Sequence, residues 1–526
     1  VDPASLQVLV ARLAGVAEEA SAVLRRSAFS PNIKERADCS AAVFTAQGDL
    51  LAQAENIPVH LGSMPASVAA VLGALGPTLA RGGDRPAAGE HWVVNDPYAG
   101  GTHLNDITVV TPCVVGDRVV GWVANRAHHA DVGGAAPGSL PADATEIFAE
   151  GLRLPPVRLT AEVRALVMAN SRTPTERAGD LDAQVGANVR AAVGLARVVE
   201  GLGGDPDAAF ASVLDYGERR MRAVVAALPD GTWEVEDVLD SAGAAPAQRH
   251  PVRLVVRLSV AGDTLTVDFT GTDAQTGGNV NAPEAVTHSA VAYALRSALD
   301  PALPTTAGCL RAVEVVVPGG SVLAAEPPAA VGAGNVEVSQ RVADVCALAL
   351  AGVVPHRVGA ASQGTMNNVL VGGSSWVYYE TVGGGEGGGP GGAGASGIHT
   401  AMTNTRNTPV EALERSYPLR VLRYGLRRNS GGGGAEPGGE GIVRDLQVLT
   451  PATLSLITER RASAPWGLGG GGPAAVGENW LVRANGTEER LADKCTVALE
   501  AGDVVRMLTP GGGGWGKALP GGAPPG

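Results

Sequence analysis

Three of the chain's nine histidines fall between positions 103 and 129, in the segment NDPYAGGTHLNDITVVTPCVVGDRVVGWVANRAHHADVGG. Imidazole nitrogens and a carboxylate at one strand end form a borderline-hard donor set, suited to Zn²⁺, Mn²⁺ or Fe²⁺. Whether they meet depends on the elements that carry them. ITVVTPCVV and RVVGWVAN have strand composition and flank Gly116-Asp117, which predicts a hairpin with a two-residue turn. Val115 then faces Arg118, Asn105 faces His128 and Asp106 faces Ala127. His103, Asp106, His128 and His129 gather at the open end. In strict alternation, however, His103, Asn105 and His128 share one face, while Asp106 and His129 point to the other. A site using both His103 and Asp106 needs irregular backbone before the strand, which Gly100-Gly101 would supply. A polar, solvated hairpin end fits the same residues, and spacing alone leaves both readings open.

The surrounding elements follow from periodicity. Apolar residues at 6, 9, 10, 13, 16, 17, 20, 23 and 24 predict a one-sided helix over 3–27, with Asp2 and Pro3 at its start. SAAVF and DLLAQ flank TAQG as a second hairpin, and Ser63 with Pro65 opens a helix to about residue 75. Residues 160–228 are mostly helical, with a break around Gly203–Pro206. After Pro229-Asp230-Gly231 come the strands WEVEDVLD, VRLVVRLSV and DTLTVDF, then helices near 284–300 and 337–352. The last third reads as short strands between glycine-rich loops at 383–397, 431–441, 467–473 and 510–516. The expected fold class is α+β. Region 1–230 is a metal-bearing α+β part, 231–370 is mixed α/β, and 371–526 is β-rich with glycine loops.

Composition removes several alternatives. With 526 residues, 45% of them hydrophobic, there is ample material for buried cores. A net charge of −13 and only 4% aromatics argue against nucleic-acid binding. No apolar run approaches the ~18 residues expected of a membrane span. The start, VDPASLQVLVARLAG, lacks the basic region and cleavage site of a signal peptide. The cysteines at 39, 113, 309, 346 and 495 are odd in number and never in CxxC spacing, so a thiolate zinc site is excluded and a reduced, cytoplasmic protein is expected. The 73 glycines do not form a phosphate loop: the one Gly-Lys pair, Gly516-Lys517, is followed by alanine rather than Ser or Thr. Lys34, Lys494 and Lys517 are the only lysines.

The segments SAFSPNIKERADCSAAVFTAQGDLLAQ, IPVHLGSMPASV, NDPYAGGTHLNDITVVTPC and NRAHHADVGG resemble the hydantoinase B/oxoprolinase family. The resemblance continues through GNVEVSQRVADV, ASQGTMNNVLVGG, HTAMTNTRNTPVEALERSYPLRV, APWGLGGG and TPGGGGWG, nearly the whole chain in order. That family includes one of the two subunits of N-methylhydantoinase, the C-terminal part of 5-oxoprolinase and subunits of acetone and acetophenone carboxylases. The resemblance implies a divalent metal held by Asp38, His103, Asp106 and His128. It makes Glu35, His60 and His129 supporting or alternative ligands, with His129 or His60 moving protons. It also implies ATP-dependent opening of a cyclic amide, the nucleotide belonging to an actin/Hsp70-like ATPase subunit in a hetero-oligomer. A ketone carboxylase subunit and a non-catalytic scaffold are the alternatives.

Weaker expectations attach to other motifs. Asn404, Asn407 and Glu411 either line a substrate or subunit surface, or cap a helix beginning near Pro409. Asn367-Asn368 carries the same ambiguity, and Lys34 reads as a solvated charge. The loops SGGGGAEPGGEG and GGGEGGGPGGAGASG lack arginines that the family pattern places there.

Overall fold

The computed structural model describes residues 2–54, 56–80 and 85–518. Helix Pro3–Ser27 begins where expected: the Asp2 carboxylate accepts from Ala4 N and Ser5 N, each at 3.1 Å, and proline fills the first turn. Six strands form the first sheet, in the order β2 (Leu50–Gln53), β1 (Cys39–Thr45), β5 (Arg118–His128), β4 (Asp106–Val115), β3 (Trp92–Val94) and β6 (Val157–Arg158).

Strand alternation decides which layer each face meets. Ala41, Val43 and Val123 pack with Leu9, Leu13, Leu195 and Phe210, from the N-terminal helix and helices Pro174–Glu200 and Pro206–Val225. Ala42, Phe44, Trp122 and Ala124 pack with Met64, Val68 and Val71 of helix Ser63–Ala80. Both faces of the sheet are covered, so every residue of β1 is buried. One expectation needs correction. By length and composition Pro58–Gly76 is apolar enough to cross a membrane, because its valines, leucines and alanines raise the mean hydropathy and it carries no Asp, Glu, Lys or Arg. Its larger side chains face the sheet, as those of a core helix do.

The second sheet runs β7 (Gly231–Leu239), β8 (Val252–Ala261), β9 (Thr264–Asp268) and β10 (Val313–Val316), with β10 parallel to β9. Helices Glu284–Leu299 and Ser339–Val353 share its core through Val286, Val291, Leu295, Val342 and Val345.

The remaining strands are β11 (Asn368–Gly372), β12 (Val377–Glu380), β13 (Leu419–Arg427), β14 (Gly441–Val448), β15 (Ala452–Ile457), β16 (Glu478–Val482), β17 (Glu488–Leu491), β18 (Lys494–Leu499) and β19 (Val504–Leu508). They form two sheets, β12-β11-β15-β18 and β13-β14-β19-β16-β17. Val369, Val371, Leu454 and Leu456 of the first meet Leu446, Leu481, Val505 and Met507 of the second. The expected division at residue 370 falls inside β11, whose ladder partners both lie later in the chain.

Backbone-to-backbone bonds join the glycine segments. Gly432 N donates to Gly512 O, Gly512 N to Gly439 O, and Gly388 N to Gly513 O, at 2.8–2.9 Å. A Cβ on Gly438 would sit 1.8 Å from Gly512 O, so that approach admits only glycine.

Candidate metal centre

The open end of the β4–β5 hairpin differs from simple arithmetic by one residue. Val115 does face Arg118, but the register shifts between Cys113 and Val114, leaving Val120 unopposed. From there Cys113 faces Gly121 and Asp106 faces His128. This bulge corrects the expected pairing of Asp106 with Ala127. Asp106 and His128 therefore share a face. Gly121 is required beside the bulge, because a Cβ there would lie 2.5 Å from Phe44 O on β1.

The approach to β4 supplies the third residue. Gly100 sits at φ 83° after the short turn Pro97–Ala99, and a Cβ on it would lie 2.4 Å from Ala66 O. The chain then bends so that Asp106 N donates to His103 O at 3.0 Å. His103 Nε2 and His128 Nδ1 lie 3.2 and 3.3 Å from Asp106 Oδ1, and 3.2 Å from each other. His60 Nε2 is 3.4 Å from Asp106 Oδ2, while its Nδ1 is 2.9 Å from Ser40 Oγ. Thr102 Oγ1 donates to Asp106 Oδ2 at 2.6 Å. Asp38 reaches the same cavity from the start of β1, its carbonyl accepting from His128 N at 3.1 Å.

The cavity is about 20 Å³, enough for one water-sized body. Asp38, His60, His103, His128, Asn335, Met366, Tyr379, Thr381, Met402 and Thr405 are among the residues that line it. Tyr379 stacks on His128 with ring centroids 4.6 Å apart and planes 25° from parallel, and the Arg36 guanidinium lies 4.7 Å from the Tyr379 ring centre. Strand alternation explains this placement: Tyr378 points into the two-sheet core and Tyr379 to the opposite side.

Electrostatics separate the two histidines. Burial alone would lower the His103 imidazole, but the Asp106 carboxylate outweighs it and raises it above its ordinary value. Burial keeps His128 below its ordinary value despite Asp106. Burial works against the Asp106 charge, yet the imidazoles hold its carboxyl well below the usual range.

A divalent ion fits this arrangement. Ligand atoms of His103, Asp106 and His128 all lie within 4.8 Å of one another. Among the described residues, His128 Nε2 and Asn335 Oδ1 are buried without a hydrogen-bond partner, an uncommon state for buried polar atoms. Two imidazoles with one or two carboxylates supply nitrogen and oxygen donors without cysteine.

Other sequence expectations are placed differently. His129 alternates away from the cavity: its Nε2 lies 2.9 Å from Gln184 Oε1, and burial, with Arg177 adding to it, pushes its imidazole down to about 4. Glu35 ends the helix Pro31–Lys34 and is not a lining residue. Asn407 does not cap helix Val410–Ser416; it donates to Thr381 O and accepts from Tyr424 O–H. Glu411 does sit in that helix's first turn, while Asn404 lines a separate cleft of about 450 Å³ that shares Thr403 with the cavity. Asn367 is held by Gln363, Val382 and Arg461. Asn368 accepts from Tyr379 O–H at 2.9 Å, which ties it to the His128 stack. Asn335, Tyr379, Arg36 and Thr102 were not identified from sequence. Asn335 lies in GNVEVSQ and Tyr379 in an ordinary strand, with no local signal of a histidine neighbour.

The hydantoinase B/oxoprolinase profile matches residues 2–518. The chain is 37% identical to 5-oxoprolinase 1 of Arabidopsis thaliana over 98% of its own length but 42% of the plant protein's. It therefore spans about two-fifths of that relative. It is 32% identical to a putative D-/L-hydantoinase subunit of Pseudomonas sp. strain NS671, covering 99% of this chain and 90% of that one. Among solved structures, the ATP-dependent caprolactamase from Pseudomonas jessenii superposes with a TM-score of 0.90 at 27% identity, over 98% and 91% of the two chains.

Proposed function

The chain belongs to the hydantoinase B/oxoprolinase family and is an enzyme chain of that hydrolase type, and from that premise we propose that it is the metal-containing subunit of an ATP-dependent amidohydrolase. Its substrate is a cyclic amide, a hydantoin or lactam, and an actin-like ATPase subunit supplies the nucleotide site. The observation that carries this reading is the buried convergence of His103, Asp106 and His128 on one cavity. The relatives' names support the reaction class: a hydantoinase subunit, a 5-oxoprolinase and an ATP-dependent caprolactamase.

A divalent ion held by His103, Asp106, His128 and Asp38 would supply Lewis-acid polarisation of the amide carbonyl or its activated form. The chain's own groups do the rest. Thr102 fixes one oxygen of Asp106, and the Tyr379 ring fixes the plane of His128. His60, with Asp106 on Nε2 and Ser40 on Nδ1, can pass a proton between its two ring nitrogens. That role goes to His60 rather than His129, whose ring lies against Gln184. Met366, Met402, Ile57, Val59 and Val336 line the walls and exclude bulk water.

The test is to co-purify the chain with an actin-like ATPase subunit, quantify bound metal and measure ATP-dependent opening of hydantoin, 5-oxoproline and caprolactam. Near-stoichiometric metal is expected, and metal and activity should disappear together in His103→Ala and His128→Ala. Undiminished turnover in those variants would overturn the catalytic reading in favour of a scaffold. ATP use that requires bicarbonate and a ketone would overturn the hydrolase reading in favour of a carboxylase.

A further inference from the structure

We propose that Asn335 is a further ligand of this centre, binding the ion through its side-chain carbonyl oxygen; the proposal rests on the metal reading above. Asn335 lies in a π-helical turn, Gly334–Val338, that leads directly into helix Ser339–Val353. Such turns insert an extra residue and redirect side chains, and they are frequent at functional sites. Several contacts hold this one in place. A Cβ on Gly334 would sit 2.0 Å from Asn281 O, so the turn lies flush against that loop. The Glu150 carboxylate accepts from Val331 N and Gly332 N just upstream. Glu337 accepts from Met366 N and Asn368 Nδ2 on the other side.

The turn delivers the Asn335 amide to the middle of the cluster. Its Nδ2 lies 3.2 Å from His103 Nε2 and 3.3 Å from Asp106 Oδ2, two atoms that offer lone pairs to a cation. Its Oδ1 is buried with no partner among the described residues. An N–H and a cation cannot share the space between those lone pairs. Half a turn about χ2 exchanges the two ends of the amide, which are nearly equal in size, and brings Oδ1 into that space. Oδ1 loses no hydrogen bond in the exchange, and the two contacts that Nδ2 gives up, to His103 and Asp106, are replaced by the shared ion. The resulting donor set is richer in oxygen than the histidines alone provide, which favours a harder ion such as Mn²⁺ relative to Zn²⁺.

The experiment uses the full chain, stripped with chelator and titrated with Mn²⁺, free Mn²⁺ being read by electron paramagnetic resonance and Zn²⁺ affinity by competition. Asn335→Ala should weaken Mn²⁺ binding about 10–100-fold, the usual range for supporting residues of a metal site, and weaken Zn²⁺ binding less. Asn335→Asp keeps an oxygen and loses the amide N–H, so it should bind Mn²⁺ at least as tightly as the parent. Asn335→Asp as weak as Asn335→Ala, or Asn335→Ala equal to the parent, would overturn the ligand assignment. Electron-nuclear double resonance on the unaltered chain carrying ¹³Cγ-asparagine avoids any folding defect: a carbon coupling to Mn²⁺ is expected, and its absence overturns the proposal. If the parent chain binds no Mn²⁺ or Zn²⁺, the metal reading falls and takes this one with it; normal parent binding with an indifferent Asn335 removes Asn335 alone.

Discussion

Two buried polar clusters in this molecule are built on opposite rules. Around Lys494 every charge faces an opposite one, three cations among four carboxylates. Its Nζ lies 2.6 Å from Glu459 and 2.9 Å from Asp493, and Arg460 sits 2.9 and 2.7 Å from Asp237 and Asp344. Arg341 reaches Asp237 and Glu459 at 3.4 and 3.5 Å. The network ties β7 to helix Ser339–Val353, to the end of β15 and to β18. Around Asp106, three imidazoles crowd one carboxylate and two ring nitrogens face each other. A matched cluster is explained by the fold it cross-links. An unmatched one of equal burial has no such explanation in the fold, and that contrast singles out the histidine cluster as the candidate site.

The largest effect that would test the contrast is on stability. Lys494→Met should cost about 3–5 kcal/mol, because it removes the nearest cation from the buried Glu459 carboxylate and leaves only Arg341, 3.5 Å away, to offset it. Urea denaturation would show this, with metal binding unchanged. Adding Glu459→Gln should restore much of the loss. His128→Asn should do the reverse, abolishing metal binding while moving the melting transition of the metal-free chain less than Lys494→Met does. Equal destabilisation by both variants would erase the distinction.

The pH dependence should separate two buried acids, Asp237 and Glu150, with opposite signs. Burial opposes the Asp237 charge, but Arg341 and Arg460 outweigh it and hold its carboxyl below the usual range. A depressed acid contributes stability that is full above its unfolded value of about 4 and is lost as pH falls through the folded one. Glu150, behind the Asn335 turn, is shifted the other way: burial pushes it up to about 7 against hydrogen bonds from Gly332 and Val331. Between about 4.3 and that value the folded chain keeps a proton the unfolded chain has shed, so stability declines as pH rises across the window. Glu150→Gln should remove that slope, worth a few kcal/mol at most, and Asp237→Asn should flatten the acid limb. Urea midpoints from pH 3 to 8 would check both, and an unchanged slope in Glu150→Gln would contradict the shift.

Periodicity made the helices and strands of the first 353 residues legible, since Pro3–Ser27, the β4–β5 hairpin, β7 to β9 and the helices at 284 and 339 stand where it placed them. It also put His103, Asp106 and His128 at one hairpin end. What it missed depends on events without a local signature. The bulge at Val120 lies beside the close approach of Gly121 to Phe44 O, and the one-residue shift puts Asp106 rather than Asn105 opposite His128. Alternation already put His129 on the face opposite His128, but not the Gln184 amide that its ring meets there. Asn335 and Tyr379 arrive from more than 200 residues away in sequence, through a π-turn and a strand of another sheet. Spacing rules cannot see such meetings, because they describe one element at a time.

The smallest expected effect is the most specific, and it concerns the ring that joins the cluster to the rest of the chain. Tyr379 stacks on His128, sits beside the Arg36 guanidinium and donates its hydroxyl to Asn368. Tyr379→Phe keeps the stack and removes one hydrogen bond, so it should cost about 1 kcal/mol of stability. Mn²⁺ affinity should then change by no more than a few-fold. Tyr379→Leu removes the stack and frees the His128 ring to rotate, so affinity should fall about 10-fold or more. The ratio between the two variants, rather than either alone, measures how far ring orientation contributes to the site. If Phe and Leu weaken binding equally, the hydroxyl and its Asn368 partner hold the cluster, and the stack is only packing. If neither has an effect, β5 alone orients His128, and the histidine cluster needs no help from the C-terminal sheets.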